Sequence, residues 1–215
     1  AFMKGTVVSS WVQSCRKLFG NEVVNKALNS YDIPSDYIFS PLEDVEDSVA
    51  LGIVDRIGNS VGKNHKEIWC TMGVQNIETF SKNYPGFFRH ASAYQFLKSM
   101  NDVHQIVMKR FKGSVPPILD LEPVSSNQVL FTYRSKRGMG DYLNGLIKGV
   151  ATYFNEEITV EEVSVGDGEL VLKLTFENAI RQIKKYKLNQ ILSLGFIKNV
   201  SIKASLLSGI LITGL

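Results

Sequence analysis

The amino-acid sequence predicts an α+β fold, in which an N-terminal helical lobe packs on a C-terminal antiparallel sheet that carries an inserted helix. Three observations predict this fold class. Apolar residues recur every three or four positions up to about residue 112, which is typical of amphipathic helices. After Pro116-Pro117 they alternate with a period of two, which is typical of strands that bury one face. The 215 residues are 44% hydrophobic and 21% charged, a composition that can bury a core and excludes a disordered chain.

The first half of the chain is expected to form five helices. The first two carry short apolar stripes and are separated by Gly20, a residue type that commonly ends helices. Ser40-Pro41 followed by Glu43 predicts the start of the third, because serine caps helices, proline suits the first position and an acidic side chain suits the first turn. The fourth covers residues 64–84 and stops before a Pro-Gly pair, and the fifth covers residues 91–111.

In the second half the predicted order is strand, strand, helix, strand, strand. The strands are expected at 118–124, 129–137, 158–165 and 170–176, and the helix at 141–154. Gly166-Asp167-Gly168 supplies the turn residues for a hairpin between the last two strands. Because neighbouring strands are joined by short turns, the sheet is expected to be antiparallel.

Charge is distributed unevenly along the chain. Residues 178–215 contain six basic and no acidic residues, which leaves a net charge of −3 for residues 1–177. An acidic body argues against a nucleic-acid partner. The basic segment runs into the uncharged residues 204–215, about half the length of a membrane span, and basic residues typically flank the cytoplasmic end of such a span.

This pattern predicts a cytoplasmic domain tethered to the inner face of the membrane. The domain is expected at residues 3–187, with the helical lobe at about 3–112 and the sheet lobe at about 113–177. Residues 188–215 would form a basic linker that enters a truncated apolar segment, which is interpreted as part of a transmembrane helix; a buried C-terminal helix is the alternative. The two cysteines are too few for a secreted disulfide framework and fit a reducing compartment.

One histidine stands out among the three in the sequence. His104 shares an apolar stripe of the fifth predicted helix with Leu97 and Met100, so its imidazole is expected to point into the interior. A buried imidazole must be hydrogen-bonded or bind a ligand. The alternative to a metal ligand is a core histidine whose ring nitrogens are hydrogen-bonded to other protein groups.

A row of polar side chains ends the second predicted strand. If the strand continues to residue 137, Tyr133, Ser135 and Arg137 lie on the same face, because side chains alternate along a strand. Two hydroxyl groups and one guanidinium form a row of donors suited to carboxylates or phosphates. An exposed strand end is the alternative.

An imidazole for iron and a row of donors for two propionates are the groups that a haem requires. The chain resembles the H-NOX family, haem domains that bind nitric oxide or oxygen and occur in bacterial sensors and in soluble guanylate cyclase. The resemblance covers residues 3 to about 176. It rests on Met3-Lys4-Gly5 with Trp11, Gln75-Asn76-Ile77, Asp102-Val103-His104, Pro116-Pro117, Tyr133-Arg134-Ser135-Lys136-Arg137 and Tyr153-Phe154-Asn155-Glu156-Glu157.

The resemblance implies a role for individual residues around haem b. It makes His104 the iron ligand, with Tyr133, Ser135 and Arg137 on the propionates. Tyr142, Trp11 and Asn76 would form a hydrogen-bond network on the distal, gas-binding side, and the tyrosine would donate to oxygen. Val7, Phe80, Met100, Pro117 and Leu146 would line the haem, although ordinary core packing accounts equally well for apolar residues. Asp47 is expected to pair with Arg137.

The function implied is that of a ferrous haem sensor for nitric oxide, oxygen and carbon monoxide, which catalyses no reaction. Nitric oxide is expected to break the bond between iron and His104 and so free the fifth helix. Resemblance to domains fused to methyl-accepting chemotaxis receptors implies a downstream transmembrane transducer. The alternatives are a haem enzyme acting on nitric oxide or peroxide, and an interaction module without a cofactor.

Overall fold

The computed structural model of the chain describes residues 1–110, Gly113 and residues 115–180. The helices are α1 (Gly5–Phe19), α2 (Asn21–Asn29), α3 (Asp47–Ser60), α4 (His65–Asn83), α5 (Ala93–Arg110) and α6 (Gly140–Phe154). The strands are β1 (Phe2–Lys4), β2 (Asp44–Glu46), β3 (Ile118–Pro123), β4 (Gln128–Arg134), β5 (Ile158–Gly166) and β6 (Glu169–Phe176), and a short 3₁₀ helix covers Pro85–Phe88. This order confirms the predicted α+β class.

Local sequence signals account for several helix ends. Gly20, with φ +85°, ends α1 in a conformation that glycine adopts without strain. Asn64 and Glu67 form a reciprocal capping box at the start of α4, in which each side chain accepts from the other residue's backbone N–H. Asn155 ends α6 in the left-handed region at φ +52°, which asparagine tolerates better than most residues.

The predicted start of the third helix is wrong. α3 begins at Asp47, and the Ser40-Pro41 segment forms a turn in which the Glu43 side chain accepts from the Ser40 backbone N–H at 2.9 Å. The following residues form β2, which pairs antiparallel with β1 so that Phe2 lies opposite Glu46. A strand of three residues is too short to show periodicity, and its partner lies some 40 residues away in the sequence. Tertiary pairing therefore overrides the cap-like pattern.

The main sheet has four antiparallel strands in the order β3-β4-β6-β5. Its central pair is in the register that places Tyr133 of β4 opposite Leu170 of β6. Alternate residues of these two strands are buried, as the period of two predicts. The second strand was expected to continue to residue 137, and this is wrong, because β4 ends at Arg134.

Two groups of buried side chains fill the interior. The helical core is made of residues from α1 to α4 and their connections, including Trp11, Ile57 and Met72. The sheet core is made of the inner sheet face, α6 and the first half of α5, including Tyr94 and Phe131. The helices α4 and α6 contribute residues to both cores and therefore join them.

Several expectations fall on residues outside the described part of the chain. They concern the end of the domain at 187, the linker and apolar segment at 188–215, and the last residue of the fifth predicted helix. In the part of the chain that the structure describes, no helix has the length and apolarity needed to cross a bilayer.

Candidate functional site

The hydroxyl group of Tyr142 joins three helices between the two cores. Tyr142 lies in the first turn of α6 and accepts hydrogen bonds from Trp11 Nε1 of α1 at 3.0 Å and from Asn76 Nδ2 of α4 at 2.5 Å. Trp11 and Asn76 are both buried. Among the described residues, no acceptor lies within hydrogen-bonding distance of the proton of Tyr142. The structure thus brings together the three residues that were predicted to be distal, and it leaves the hydroxyl proton of Tyr142 free to be donated.

Burial fixes the protonation state of this hydroxyl group. It raises the pKa of Tyr142 to about 12, although the hydrogen bonds from Trp11 and Asn76 lower the pKa in part. Tyr142 is therefore protonated at neutral pH and can act as a hydrogen-bond donor.

Two glycines allow α4 and α6 to approach closely enough for this contact. A Cβ atom on Gly73 would lie 2.3 Å from the Tyr142 carbonyl oxygen, and one on Gly145 would lie 2.1 Å from the Cys70 carbonyl oxygen. Real Cβ atoms do not approach other atoms so closely, so a larger residue would push the helices apart. These glycines could not be singled out from the sequence, because the pattern of residues alone does not show which helices touch.

Trp69 is a second residue that the sequence analysis missed. Its ring packs edge-on against Trp11 and Tyr142, with centroid distances of 5.0 and 5.8 Å. Its Nε1 atom donates to Asp55 Oδ1 at 2.9 Å, which fixes the orientation of the indole. Its place on the buried face of α4 could have been read from helical periodicity, but its contact with the distal residues could not.

His104 lies on α5 and is half-buried. Its Nδ1 atom is buried and has no hydrogen-bond partner among the described residues. Burial lowers the pKa of the imidazole, which the nearby Pro117 carbonyl opposes only in part. The ring is therefore held in its neutral form, the form in which histidine binds metals.

The three predicted propionate-binding residues do not lie along one strand, as was expected. Tyr133 is on β4, whereas Ser135 and Arg137 lie in the turn that leads to α6. The Ser135 backbone N–H donates to the Gly168 carbonyl at 2.9 Å, which fixes the start of this turn, and Gly138 adopts φ +63° within it. The Ser135 hydroxyl accepts from the Arg137 backbone N–H at 3.2 Å. Burial raises the pKa of Tyr133, and a hydrogen bond with the Ser135 side chain and the charge of Arg137 partly oppose this.

Arg137 is held at three of its nitrogen atoms. Nε donates to Asp47 Oδ2 at 2.8 Å, which confirms the expected pair, and both side chains are largely buried, at 13% and 17% exposed. Nη1 donates to the Val115 carbonyl at 2.6 Å and Nη2 to the Phe2 carbonyl at 2.8 Å. A guanidinium has five N–H bonds, so one on each Nη atom stays available for an anionic partner.

The five apolar residues that were predicted to line the haem are all partly exposed. Val7, Phe80, Met100, Pro117 and Leu146 are each half-buried, in contrast to the residues of the two cores. Val7 packs against the helical core, whereas Phe80, Met100 and Leu146 pack against the sheet core. Each of these side chains therefore keeps part of its apolar surface uncovered by protein, which an apolar ligand could contact.

Comparison with known proteins identifies the family. A family model described as Haem-NO-binding matches residues 4–162. The chain belongs to the H-NOX family. Members of this family bind haem and sense gases, so the domain is a sensor rather than an enzyme.

Solved H-NOX structures are similar to this chain in both sequence and fold. An oxygen-binding H-NOX domain related to soluble guanylate cyclases, in its oxygen complex, is 40% identical, with a TM-score of 0.80, and the match covers 86% of this chain and 100% of that one. A point mutant of the H-NOX domain of T. tengcongensis is 40% identical, with a TM-score of 0.78 and coverage of 83% and 100%. A Cs H-NOX mutant with an unnatural amino acid is 40% identical, with a TM-score of 0.78 and coverage of 84% and 100%. Comparison with curated protein sequences gave no match.

The residues of this H-NOX domain fit a haem. The Nδ1 atom of His104 is buried without a hydrogen-bond partner among the described residues, and burial favours the neutral form of the imidazole. Arg137 has two N–H bonds to spare beside the Tyr133 and Ser135 hydroxyl groups. The half-buried apolar residues supply the remaining surface that a porphyrin contacts. The donor set therefore matches an iron, two carboxylates and an apolar ring.

Proposed function

We propose that this domain senses nitric oxide and oxygen through ferrous haem b held between its helical and sheet cores. The observation that carries the proposal is the hydroxyl group of Tyr142, which two buried donors hold in place while its own proton stays free. Oxygen bound to ferrous iron gains from such a donor, whereas carbon monoxide and nitric oxide gain much less. Tyr142, Trp11 and Asn76 are thus proposed as the distal residues of an oxygen-competent domain.

His104 is the proposed iron ligand. Bound haem supplies an iron that takes up a diatomic gas. The chain supplies a neutral imidazole, because burial lowers the pKa of His104 and no described residue competes for Nδ1. Val7, Phe80, Met100, Pro117 and Leu146 are proposed to enclose the ring.

Tyr133, Ser135 and Arg137 are proposed to bind the propionates. The carboxylate of Asp47 and the carbonyls of Phe2 and Val115 fix the plane of the Arg137 guanidinium before any ligand arrives. A guanidinium group whose orientation is already fixed loses less entropy on binding a carboxylate than a mobile side chain does. This favours Arg137 as the main anion-binding group.

The packing of α5 supports the proposed movement of this helix, which would follow if nitric oxide freed His104 from a bound haem iron. Its first half is buried, with Ala93 and Tyr94 at 0% and 2% exposed, whereas Ile106 and Met108 in its second half are 52% and 41% exposed. Near its middle, the side chain of Asn101 accepts from the Leu119 backbone N–H at 3.3 Å. A helix anchored at one end can pivot at the other with little loss of burial.

The output is proposed to reach a chemotaxis-type transmembrane transducer, with the domain on the cytoplasmic side and tethered to the membrane. The support is compositional, since a basic segment precedes an apolar one after residue 177. Nitric oxide and oxygen would stabilise different states of the domain, because only nitric oxide is expected to free His104. A switch requires ligands that bind its states with different affinities.

An absorption experiment tests the haem assignment. The full chain is produced with ample haem and reduced, and its Soret band is followed as oxygen, carbon monoxide and nitric oxide are added in turn. We expect the band to move with each gas. His104→Gly is expected to lose the iron ligand that the protein supplies and to regain a similar spectrum when imidazole is added.

Two results would contradict the proposal. A colourless protein would mean that the chain does not hold haem. A His104→Gly spectrum identical to that of the original protein would assign the iron ligand to another residue. A His65→Gly variant is the matched control, because His65 lies on the surface beside Asp55, and it should behave like the original protein.

A further inference from the structure

A buried polar contact lies directly behind the distal residues. Ser14 on α1 is fully buried, and its Oγ atom donates to Asn76 Oδ1 at 3.2 Å. Asn76 is also fully buried, and its other end, Nδ2, donates to Tyr142. The amide of Asn76 is therefore engaged at both ends, by α1 on one side and by α6 on the other.

The orientation of this amide decides what the proton of Tyr142 can do. With Nδ2 towards Tyr142, the tyrosine oxygen accepts a hydrogen bond and its own proton stays free. With the amide reversed, Oδ1 would face Tyr142 and accept that proton. The tyrosine would then have no proton left to donate to a gas ligand.

The contacts of Ser14 favour the orientation that leaves the proton free. The hydroxyl groups of Ser14 and Thr79 are 2.9 Å apart, whereas Thr79 Oγ1 lies 3.3 Å from the Gln75 carbonyl. Either hydroxyl group can donate across the Ser14–Thr79 contact, and the Ser14 proton that is directed to Asn76 Oδ1 leaves the Ser14 oxygen free to accept from Thr79. An amide oxygen that receives this proton is held away from Tyr142.

We propose that Ser14 is a positioning residue for gas selectivity. It holds the amide of Asn76 so that Tyr142 remains a donor, and it thereby favours oxygen over carbon monoxide. This inference rests on the proposed role of Tyr142 as the donor to oxygen. Ser14 itself does not contact the ligand.

The test uses the full chain loaded with ferrous haem and compares Ser14→Ala with two control variants. Removal of the Ser14 hydroxyl is expected to speed oxygen dissociation by about fivefold, the effect of losing one buried hydrogen bond. Carbon monoxide affinity is expected to stay within about twofold, because this gas gains little from a donor. Thr79→Val should keep the oxygen rate of the original protein, because among the described side chains it leaves Asn76 Oδ1 as the acceptor of the Ser14 proton. Ser10→Ala should also keep it, because Ser10 is buried one turn earlier on α1 and makes no side-chain hydrogen bond with a described residue.

A second readout reports on the amide directly. In the diamagnetic carbon monoxide complex, the side-chain amide protons of Asn76 are assigned by nuclear magnetic resonance from their loss in Asn76→Asp. In Ser14→Ala they are expected to exchange faster with water, and in Ser10→Ala they should not change. A merely structural role of Ser14 would not affect these two protons selectively.

The outcomes separate this inference from the proposed function. If Tyr142→Phe loses oxygen binding but Ser14→Ala matches the original protein, the positioning role is wrong and the donor role stands. If Tyr142→Phe binds oxygen as the original protein does, the donor role is wrong, and the positioning role falls with it. If Thr79→Val and Ser10→Ala also change both oxygen and carbon monoxide binding, a general loosening of α1 against α4 replaces the proposal.

Discussion

Gly145→Ala tests whether the close approach of α4 and α6 is required for stability. The new Cβ atom would lie 2.1 Å from the Cys70 carbonyl oxygen and 2.9 Å from Gly73 Cα. Both obstacles are backbone atoms, which cannot rotate away as a side chain can. The two helices would have to separate by about 1 Å to restore an ordinary contact.

The expected cost is about 2 kcal/mol in the free energy of unfolding. Overpacking costs about 1–3 kcal/mol, and a backbone obstacle places this substitution at the upper end. Alanine recovers up to about 1 kcal/mol, because it favours the helix more than glycine does. The separation would also lengthen the bond of 2.5 Å between Asn76 Nδ2 and Tyr142 Oη, so oxygen should dissociate faster.

Urea unfolding followed by circular dichroism measures the first effect. Gly140→Ala is the matched control on the same helix, because its Cβ atom would meet only the flexible end of Leu170, at 3.0 Å. This control should change the free energy of unfolding by less than about 0.5 kcal/mol. Equal stability of Gly145→Ala and the original protein would refute the reasoning, and so would an equal loss in both variants.

Three further predictions concern charge, capping and pH. Asp47→Ala leaves the largely buried Arg137 without its carboxylate and should lower the free energy of unfolding, measured with urea, by about 3 kcal/mol. Glu169→Ala breaks an exposed ion pair with Arg134 and should lower it by less than about 1 kcal/mol. Equal losses in the two variants would contradict the argument from burial. Asn64→Ala removes the cap of α4 and should lower the free energy of unfolding by about 1 kcal/mol, measured in the same assay; an unchanged midpoint would argue against the capping box. Because burial raises the pKa of Tyr142 to about 12, the folded state binds its proton more tightly than the unfolded state, so stability is full below pH 10 and falls as the pH rises towards 12. This loss should reach about 1.4 kcal/mol by pH 11 and be absent from Tyr142→Phe; parallel pH profiles of the two proteins would contradict it.

Periodicity predicted the elements that bury a face and missed those that do not. The strands of the main sheet and helices α4, α5 and α6 lie close to their predicted positions, since each repeats apolar residues over two or more turns or pleats. The pairing of β1 with β2 was not predicted, because each strand has only three residues. The serine and proline at positions 40 and 41 resemble a helix start, yet a turn uses the same residue types for the same local hydrogen bonds.

The candidate site was predicted as a set of residue types rather than as a geometry. The imidazole of His104, the donors near residue 135 and the distal aromatic residues could all be named from the sequence. Their arrangement could not, since Ser135 and Arg137 lie in a turn and not on the strand that alternation predicts. The contacts of Ser14 and Trp69 with the distal residues were also missed, because they join helices that are distant in the chain.

The sequence by itself determined the α+β class and the motifs that resemble the H-NOX family, and it named the residues that are predicted to bind iron and carboxylates. These properties depend on residue type and on spacing over a few positions, which a linear pattern records. Only the tertiary structure decided that Tyr142 keeps its proton free, that Asp47 holds Arg137 and that glycines set the distance between α4 and α6. Each of these depends on atoms brought within about 3 Å from distant parts of the chain, and packing of the whole domain fixes such distances.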